Sequence, residues 1–286
     1  MLGLNLHKSV ASVITENLEK VKSFISNKLF KSRHQLSEEV CNEFGITDPN
    51  GKPQTRACTK VLANLEEKGE VLLPLRTFEP SKSNHESSLD FNFELTIPPE
   101  EIRNENLSLR LTCSEEERAT WNSVAASANS QSVNLVARQL RYFIMSSEHI
   151  IGVIGFSSRT INMASREKFI GWKKDLKKAL LHHVLRMDIF HLHPSIDKDV
   201  VLPTILKILP DIVGNDYLTK WNLSLKIIET YSIEKSIGKY FTNAKWHYLT
   251  DKLDDNTSKD QGKGEQNICH LFSTYIAAMK CGMSLA

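Results

Sequence analysis

Ala137-Arg-Gln-Leu-Arg-Tyr-Phe-Ile144, Ile150-Ile-Gly-Val-Ile-Gly-Phe-Ser-Ser158 and Arg166-Glu-Lys-Phe-Ile-Gly-Trp172 decide the fold of this chain. The first two are β-branched and aromatic runs separated only by Met145-Ser-Ser-Glu-His149, which predicts adjacent strands over 139–144 and 150–156 joined by a short hairpin. Period-two alternation puts Gln139, Arg141 and Phe143 on one face and Leu140, Tyr142 and Ile144 on the other. One face is expected to be core, while the other carries a guanidinium beside an aromatic ring.

Outward from the hairpin, Leu107-Ser-Leu-Arg-Leu111 alternates as a strand, and Ser114 with Glu117 forms a capping box that starts a helix through about Ala128. Downstream the pattern predicts a helix over 173–186 and a strand over 189–193. A helix over 197–213 follows, which Pro203 and Pro210 should shorten or kink. Strands are expected near 223–231, 245–249 and 268–272. This rhythm is that of a layered, mixed α/β domain.

Upstream the pattern changes. Residues 7–30 carry an amphipathic stripe, followed by shorter helical candidates over 35–44 and 54–68. Between these two lies the dense turn chemistry of Thr47-Asp-Pro-Asn-Gly-Lys-Pro53, and after Gly69 the run Val71-Leu-Leu73 reads as a strand. Helix, turn, helix, glycine and short strand is the order of a winged-helix module. Residues 76–92 are polar, without a packing stripe, and read as a linker. The expected organisation is α+β: a helical, winged-helix-like module over 1–75, the linker over 76–92, and a mixed α/β domain over 93–286.

With 36 basic against 34 acidic side chains, the net charge of +2 excludes wholesale coating of a nucleic acid, so any basic surface is local. The five cysteines are odd in number and widely spaced, with no Cys-x-x-Cys pair, which supports neither a zinc ribbon nor a disulfide framework. No apolar run is long enough to span a membrane, and the apolar start is too short for a secretion signal. The expectation is a cytoplasmic protein with reduced thiols.

Two segments carry candidate binding chemistry. The helix over 54–68 bears Thr55, Arg56, Thr59, Lys60 and Asn64 outside its apolar stripe, a face suited to a major groove with Arg56 and Lys60 at phosphates or base edges. Protein contact is the alternative use of such a module. Arg166, Lys168, Trp172, Lys173, Lys174, Lys177 and Lys178 form the densest basic run, with Phe169 or Trp172 available to stack on an unpaired base. A solvated helix face with the aromatics packed beneath is the alternative there. His191 and His193 share a strand face but lack a completing carboxylate or cysteine, so no metal is expected. Asp188, Glu229 and Asp251 have no spacing that selects a two-metal centre. Glu229, inside an apolar strand, needs a partner, and Arg138, Arg141 and Arg166 are the candidates.

Arg138-Gln-Leu-Arg-Tyr142, Ile151-Gly-Val-Ile-Gly-Phe-Ser-Ser158 and Arg166-Glu-Lys-Phe-Ile-Gly-Trp172 resemble the DruA family of the Druantia system. Ile189-Phe-His-Leu-His-Pro194, Ile227-Ile-Glu-Thr-Tyr231 and Gly238-Lys-Tyr-Phe-Thr-Asn-Ala-Lys-Trp246 continue the series in order. The resemblance implies a component of a bacterial anti-phage defence system, sensing or loading nucleic acid alongside a helicase-type partner. It adds Arg138 and Arg141 to the nucleic-acid-binding set and implies a pocket around Glu229, Tyr240 and Trp246. The chain departs from the family pattern at Thr242 and Lys245, at Gly262-Lys-Gly264, and after Pro194.

The order of elements is also similar to the N-acetyltransferase superfamily. Those enzymes hold a pyrophosphate at a helix N-terminus through a Gly-rich turn. Here the turn reads His193-Pro-Ser-Ile-Asp-Lys-Asp199, without glycine and with two carboxylates, so no coenzyme A and no other cofactor is expected. An acyltransferase-fold enzyme, a transposon-associated accessory DNA-binding protein and a structural adaptor stand as alternatives, and the residues leave open whether any reaction is catalysed.

Overall fold

The computed structural model describes residues 9–28, 30, 32–75, 93–128, 135–158, 164–171, 180–232, 238–250 and 268–273. The linker read at 76–92 and the first part, 173–179, of the helix expected over 173–186 lie outside them, and the last three residues of that expected helix, 184–186, are strand. The chain divides into two compact units, Met1–Arg76 and Thr77–Ala286.

In the first unit, α1 (Val10–Glu16), α2 (Leu18–Ser26), α3 (Arg33–Glu43) and α4 (Thr55–Glu67) enclose one apolar core. The single helix expected over 7–30 is in fact two. Asn17 leaves helical geometry at φ −115°, and its side-chain amide donates to the Val13 carbonyl at 2.9 Å. Asparagine competes in this way with the backbone ladder. The apolar stripe survives the break, with Val10, Ile14, Val21 and Ile25 buried against Leu36, Val40 and Leu62. In the turn before α4, Asp48 Oδ1 accepts the N–H groups of Asn50 and Lys52, each at 2.9 Å. Gly51 supplies the positive φ of 77° that this turn requires.

The strand expected at Val71–Leu73 does not form among the described residues. The Leu73 N–H, which a ladder would have used, donates instead to the buried Glu66 carboxylate at 3.3 Å. Val71 and Leu73 point into the helical core.

The second unit is a mixed sheet with helices. In chain order its elements are β1 (Leu107–Leu111), α5 (Glu115–Ala128), β2 (Gln139–Ser146), β3 (His149–Ser157), α6 (Ala164–Ile170), β4 (Val184–Leu192), α7 (Lys198–Trp221), β5 (Ile227–Ser232), α8 (Gly238–Asn243), β6 (His247–Thr250) and β7 (Ile268–Ser273). The strands lie in the order β1-β2-β3-β4-β5-β7-β6. Only β4 and β5 run parallel among these pairs, joined by the α7 crossover. The Ser114–Glu117 capping box is present, with Glu117 N–H donating to Ser114 Oγ at 3.1 Å.

Both faces of the hairpin are core, including the one that carries Arg141 beside Phe143. Leu140, Tyr142 and Ile144 pack with Phe156, Leu185 and Ile228 against Val201, Ile205 and Leu209 of α7. Phe143, Met145 and Val153 pack against Trp121, Val124 and Ala125 of α5. A Cβ on Gly155 would sit 2.8 Å from the Trp121 ring, so the indole lies where a side chain would otherwise be.

Two further expectations change. β4 starts at Val184 rather than Ile189, because Val184, Leu185 and Met187 are needed in the sheet core. α7 keeps 24 residues with Pro203 and Pro210 both inside it. Pro210 deprives the Leu206 carbonyl of its usual donor, and the Trp246 indole N–H replaces it at 3.5 Å. Pro203 faces solvent.

Candidate nucleic-acid interface

The α3–turn–α4 arrangement fixes which residues of α4 face outward. The Thr59 hydroxyl lies 2.8 Å from both Ser37 Oγ of α3 and the Thr55 carbonyl. It is therefore a packing contact, and its place in the exposed polar face is corrected. Glu66 is withdrawn as well, bound to Arg33 of α3 at 2.6 Å with both residues buried. What remains exposed is Arg56, Lys60, Asn64 and Lys68, four residues apart along one side. Among the described residues, the three cations of this stripe have no acidic partner, whereas Lys22 pairs with Glu19 and Glu70, and Lys28 with Glu39. Beneath α4, the Cys58 thiol is pushed up to about 12 by burial, and Cys41 is raised for the same reason.

The arginines nominated in the second unit are placed differently. Arg138 is fully buried. Its Nε donates to Tyr217 Oη at 2.7 Å, and its Nη1 lies 3.2 Å from His182 Nδ1. The Tyr217 hydroxyl donates in turn to the His182 carbonyl at 2.7 Å. Arg166 is equally buried and donates from Nη1 to Glu229 Oε2 at 2.8 Å. Neither guanidinium stands where a phosphate would meet it, because each is consumed in holding the sheet to a neighbouring segment. Arg141 is half-buried, with its guanidinium carbon 5.5 Å from the Trp121 ring. Lys168 is exposed on α6. Trp172, Lys173 and Lys177 lie outside the described residues.

Glu229 thus finds its counter-ion in Arg166, and it stands in register with Arg186 of β4. Arg186 binds Asp188, which in turn accepts from the Ser157 hydroxyl. Ser157, Asp188, Arg186, Glu229 and Arg166 therefore form a polar row across one sheet face. The row lies where β4 and β5 part, since their pairing extends only from Val184–Ile227 to Met187–Thr230. Glu229 Oε1 is buried and accepts no hydrogen bond among the described residues. Sequence reasoning missed most of this row because it assigned 184–186 to a helix. The missed signal was the period-two spacing of Arg186 and Asp188.

Tyr240 and Trp246 do not join Glu229, and the pocket expected from the three is not assembled. Both belong to the core on the α7 side of the sheet, while strand alternation puts Glu229 on the face opposite the neighbouring core residue Ile228. Tyr240 Oη donates to Asp199 at 2.6 Å, and this bond, with that from Lys239, holds the Asp199 carboxyl below its usual range. His193 Nδ1 lies 2.6 Å from Ser195 Oγ in a local turn, and burial lowers the pKa of His191. Among the described residues no three His, Cys, Asp or Glu side chains are grouped to hold a metal ion, and no helix is long and apolar enough to cross a membrane.

The family model described as Druantia protein DruA matches residues 76–241, more than half of the chain. The chain belongs to the DruA family. The matched region takes in β1 through most of α8 and leaves α1 to α4 outside. No curated protein matches this DruA-family chain. Similar solved structures include spermidine/spermine N-acetyltransferase SpeG from Vibrio cholerae, at 12% identity and a TM-score of 0.36, covering 62% of this chain and 98% of that one. Another is the Campylobacter jejuni N-acetyltransferase PseH, at 9% identity and a TM-score of 0.30, covering 59% and 99%. Likenesses of this size do not bear on what the DruA-family chain binds or catalyses.

Proposed function

We propose that this chain is a cytoplasmic, nucleic-acid-binding component of a Druantia-type bacterial anti-phage defence system, acting with partner proteins such as a helicase. The observation that carries the binding half of this reading is the outward stripe of α4. Arg56, Lys60 and Lys68 are exposed and unpaired among the described residues, on the second helix of a helix–turn–helix pair. A protein whose net charge is only +2 concentrates its attraction for phosphate in such local clusters. The acyltransferase alternative meets a specific obstacle. The start of α7 is capped by Asp197, whose Oδ1 accepts the Asp199 N–H at 2.8 Å. Asp199 stays ionised beside it, so an incoming pyrophosphate meets two carboxylates.

The test is duplex-DNA binding by the full chain, titrated across salt. Arg56→Glu with Lys60→Glu should weaken binding at every salt concentration. It should also flatten the plot of log affinity against log salt by about 0.9 for each phosphate that the variant no longer neutralises. An unchanged affinity and slope would falsify the α4 reading. Co-purification of partner proteins before and after nuclease treatment separates a nucleic-acid bridge from direct protein contact.

A further inference from the structure

At one edge of the second unit's sheet, β6 ends the strand order, and α6 lies against it. Phe169 of α6 is 43% exposed, although its neighbour Ile170 is buried. Its ring centroid is 5.4 Å from that of His247 on β6, with the planes tilted by 51°. The phenyl ring is thus braced by an imidazole and is in part open to solvent. Lys168 precedes it in the chain, and Lys245 stands two residues before His247. Both are exposed, and neither has an acidic partner among the described residues. The nearest acid in sequence, Glu167, is turned toward the buried Arg166 at 3.9 Å.

We infer that Phe169, braced by His247, is a stacking platform for an unpaired base of a single-stranded nucleic acid, with Lys168 and Lys245 meeting the backbone phosphates. An exposed ring offers a π-face that any base can cover, and flanking cations follow the strand without reading its sequence. The inference rests on the nucleic-acid-binding reading above and adds to it a single-stranded substrate that α4 does not address.

The experiment measures full-chain binding to a fluorescent oligothymidine of about fifteen nucleotides and, in parallel, to a duplex of about twenty base pairs. Phe169→Ala should weaken single-strand binding about five- to a hundredfold and leave duplex binding unchanged. Phe169→Trp should keep wild-type single-strand affinity, and Phe169→Leu should behave like the alanine variant. Equal affinity of wild type and Phe169→Ala for the single strand overturns the inference, as does full affinity in Phe169→Leu, which would mark an apolar contact without stacking. If Phe169→Ala lowers the melting temperature, the tryptophan and leucine variants still decide the question. The Arg56→Glu, Lys60→Glu variant is run in both arms. A Phe169 effect on single strands with no α4 effect on duplex sinks the α4 reading and leaves the platform standing, and the reverse result sinks the platform alone.

Discussion

Each unit contains a buried arginine–carboxylate pair, and the two differ in how the carboxylate is used. In the first, Glu66 accepts from Arg33 at one oxygen and from the Leu73 N–H at the other, while Arg33 Nε donates to the Pro74 carbonyl at 2.7 Å. In the second, Glu229 accepts from Arg166 at Oε2, and its buried Oε1 has no donor among the described residues. The first pair replaces a missing strand partner for the segment after α4. The second neutralises a charge that α6 brings to the sheet. Burying two charges stabilises only where the remaining lone pairs are also met, so the same pair of residue types has different structural worth in the two places.

Breaking either pair should produce the largest effect. Glu66→Ala and Glu229→Ala each remove the carboxylate bound to a buried guanidinium, and each should cost about 3–5 kcal/mol in denaturant unfolding. The two are separable by probe. All four tryptophans fall in the second unit, so indole fluorescence reports Glu229→Ala, and helical circular dichroism weighs Glu66→Ala. Full stability in either variant would mean that its charge is not buried as described.

Replacing both partners by apolar residues should make the pairs diverge. Arg166→Met with Glu229→Leu removes both charges together with the oxygen that has no donor among the described residues, and is expected to be near neutral or stabilising. Arg33→Met with Glu66→Leu also removes the partners of Leu73 N–H and Pro74 C=O, and should cost about 1–3 kcal/mol for each polar group left buried. Equal outcomes in the two double variants would erase the distinction.

The sequence made local features legible where a few adjacent residues decide them. The Ser114–Glu117 capping box, the hairpin, β1 and α4 all lie close to where their patterns put them. Elements whose boundaries depend on distant partners were not legible. α7 runs on through Pro210, where the indole of Trp246 serves the freed carbonyl forty residues away. β4 starts early because its first residues are core for α7, and Val71–Leu73 loses its strand to a carboxylate on α4. The candidate site followed the same division. Arg56 and Lys60 stand where helical periodicity placed them. Glu229, a charge inside an apolar strand, pointed to an arginine partner, and Arg166 is that partner. Arg138 looked like a surface cation because nothing local revealed Tyr217 or His182 beside it.

The smallest of the expected effects sharpens the contrast between the units at alkaline pH. Burial pushes the Cys58 thiol from 9.0 to about 12, and burial with the Asp216 bond raises the Tyr142 phenol above its ordinary 10.0. Both groups are raised in the folded state, so each contributes stability that is fully present below its unfolded pKa. That stability is lost as pH rises toward the folded value, because the unfolded chain releases a proton that the folded chain retains. The first unit should therefore start to weaken above pH 9, and the second above pH 10. The slope is at most about 1.4 kcal/mol per pH unit for each group. Cys41→Ala with Cys58→Ala should flatten the decline of the first unit between pH 9 and 10 and leave the tryptophan-reported transition of the second where it was. If both transitions move together in that variant, the two units do not unfold independently, and the costs of breaking their ion pairs belong to one cooperative transition.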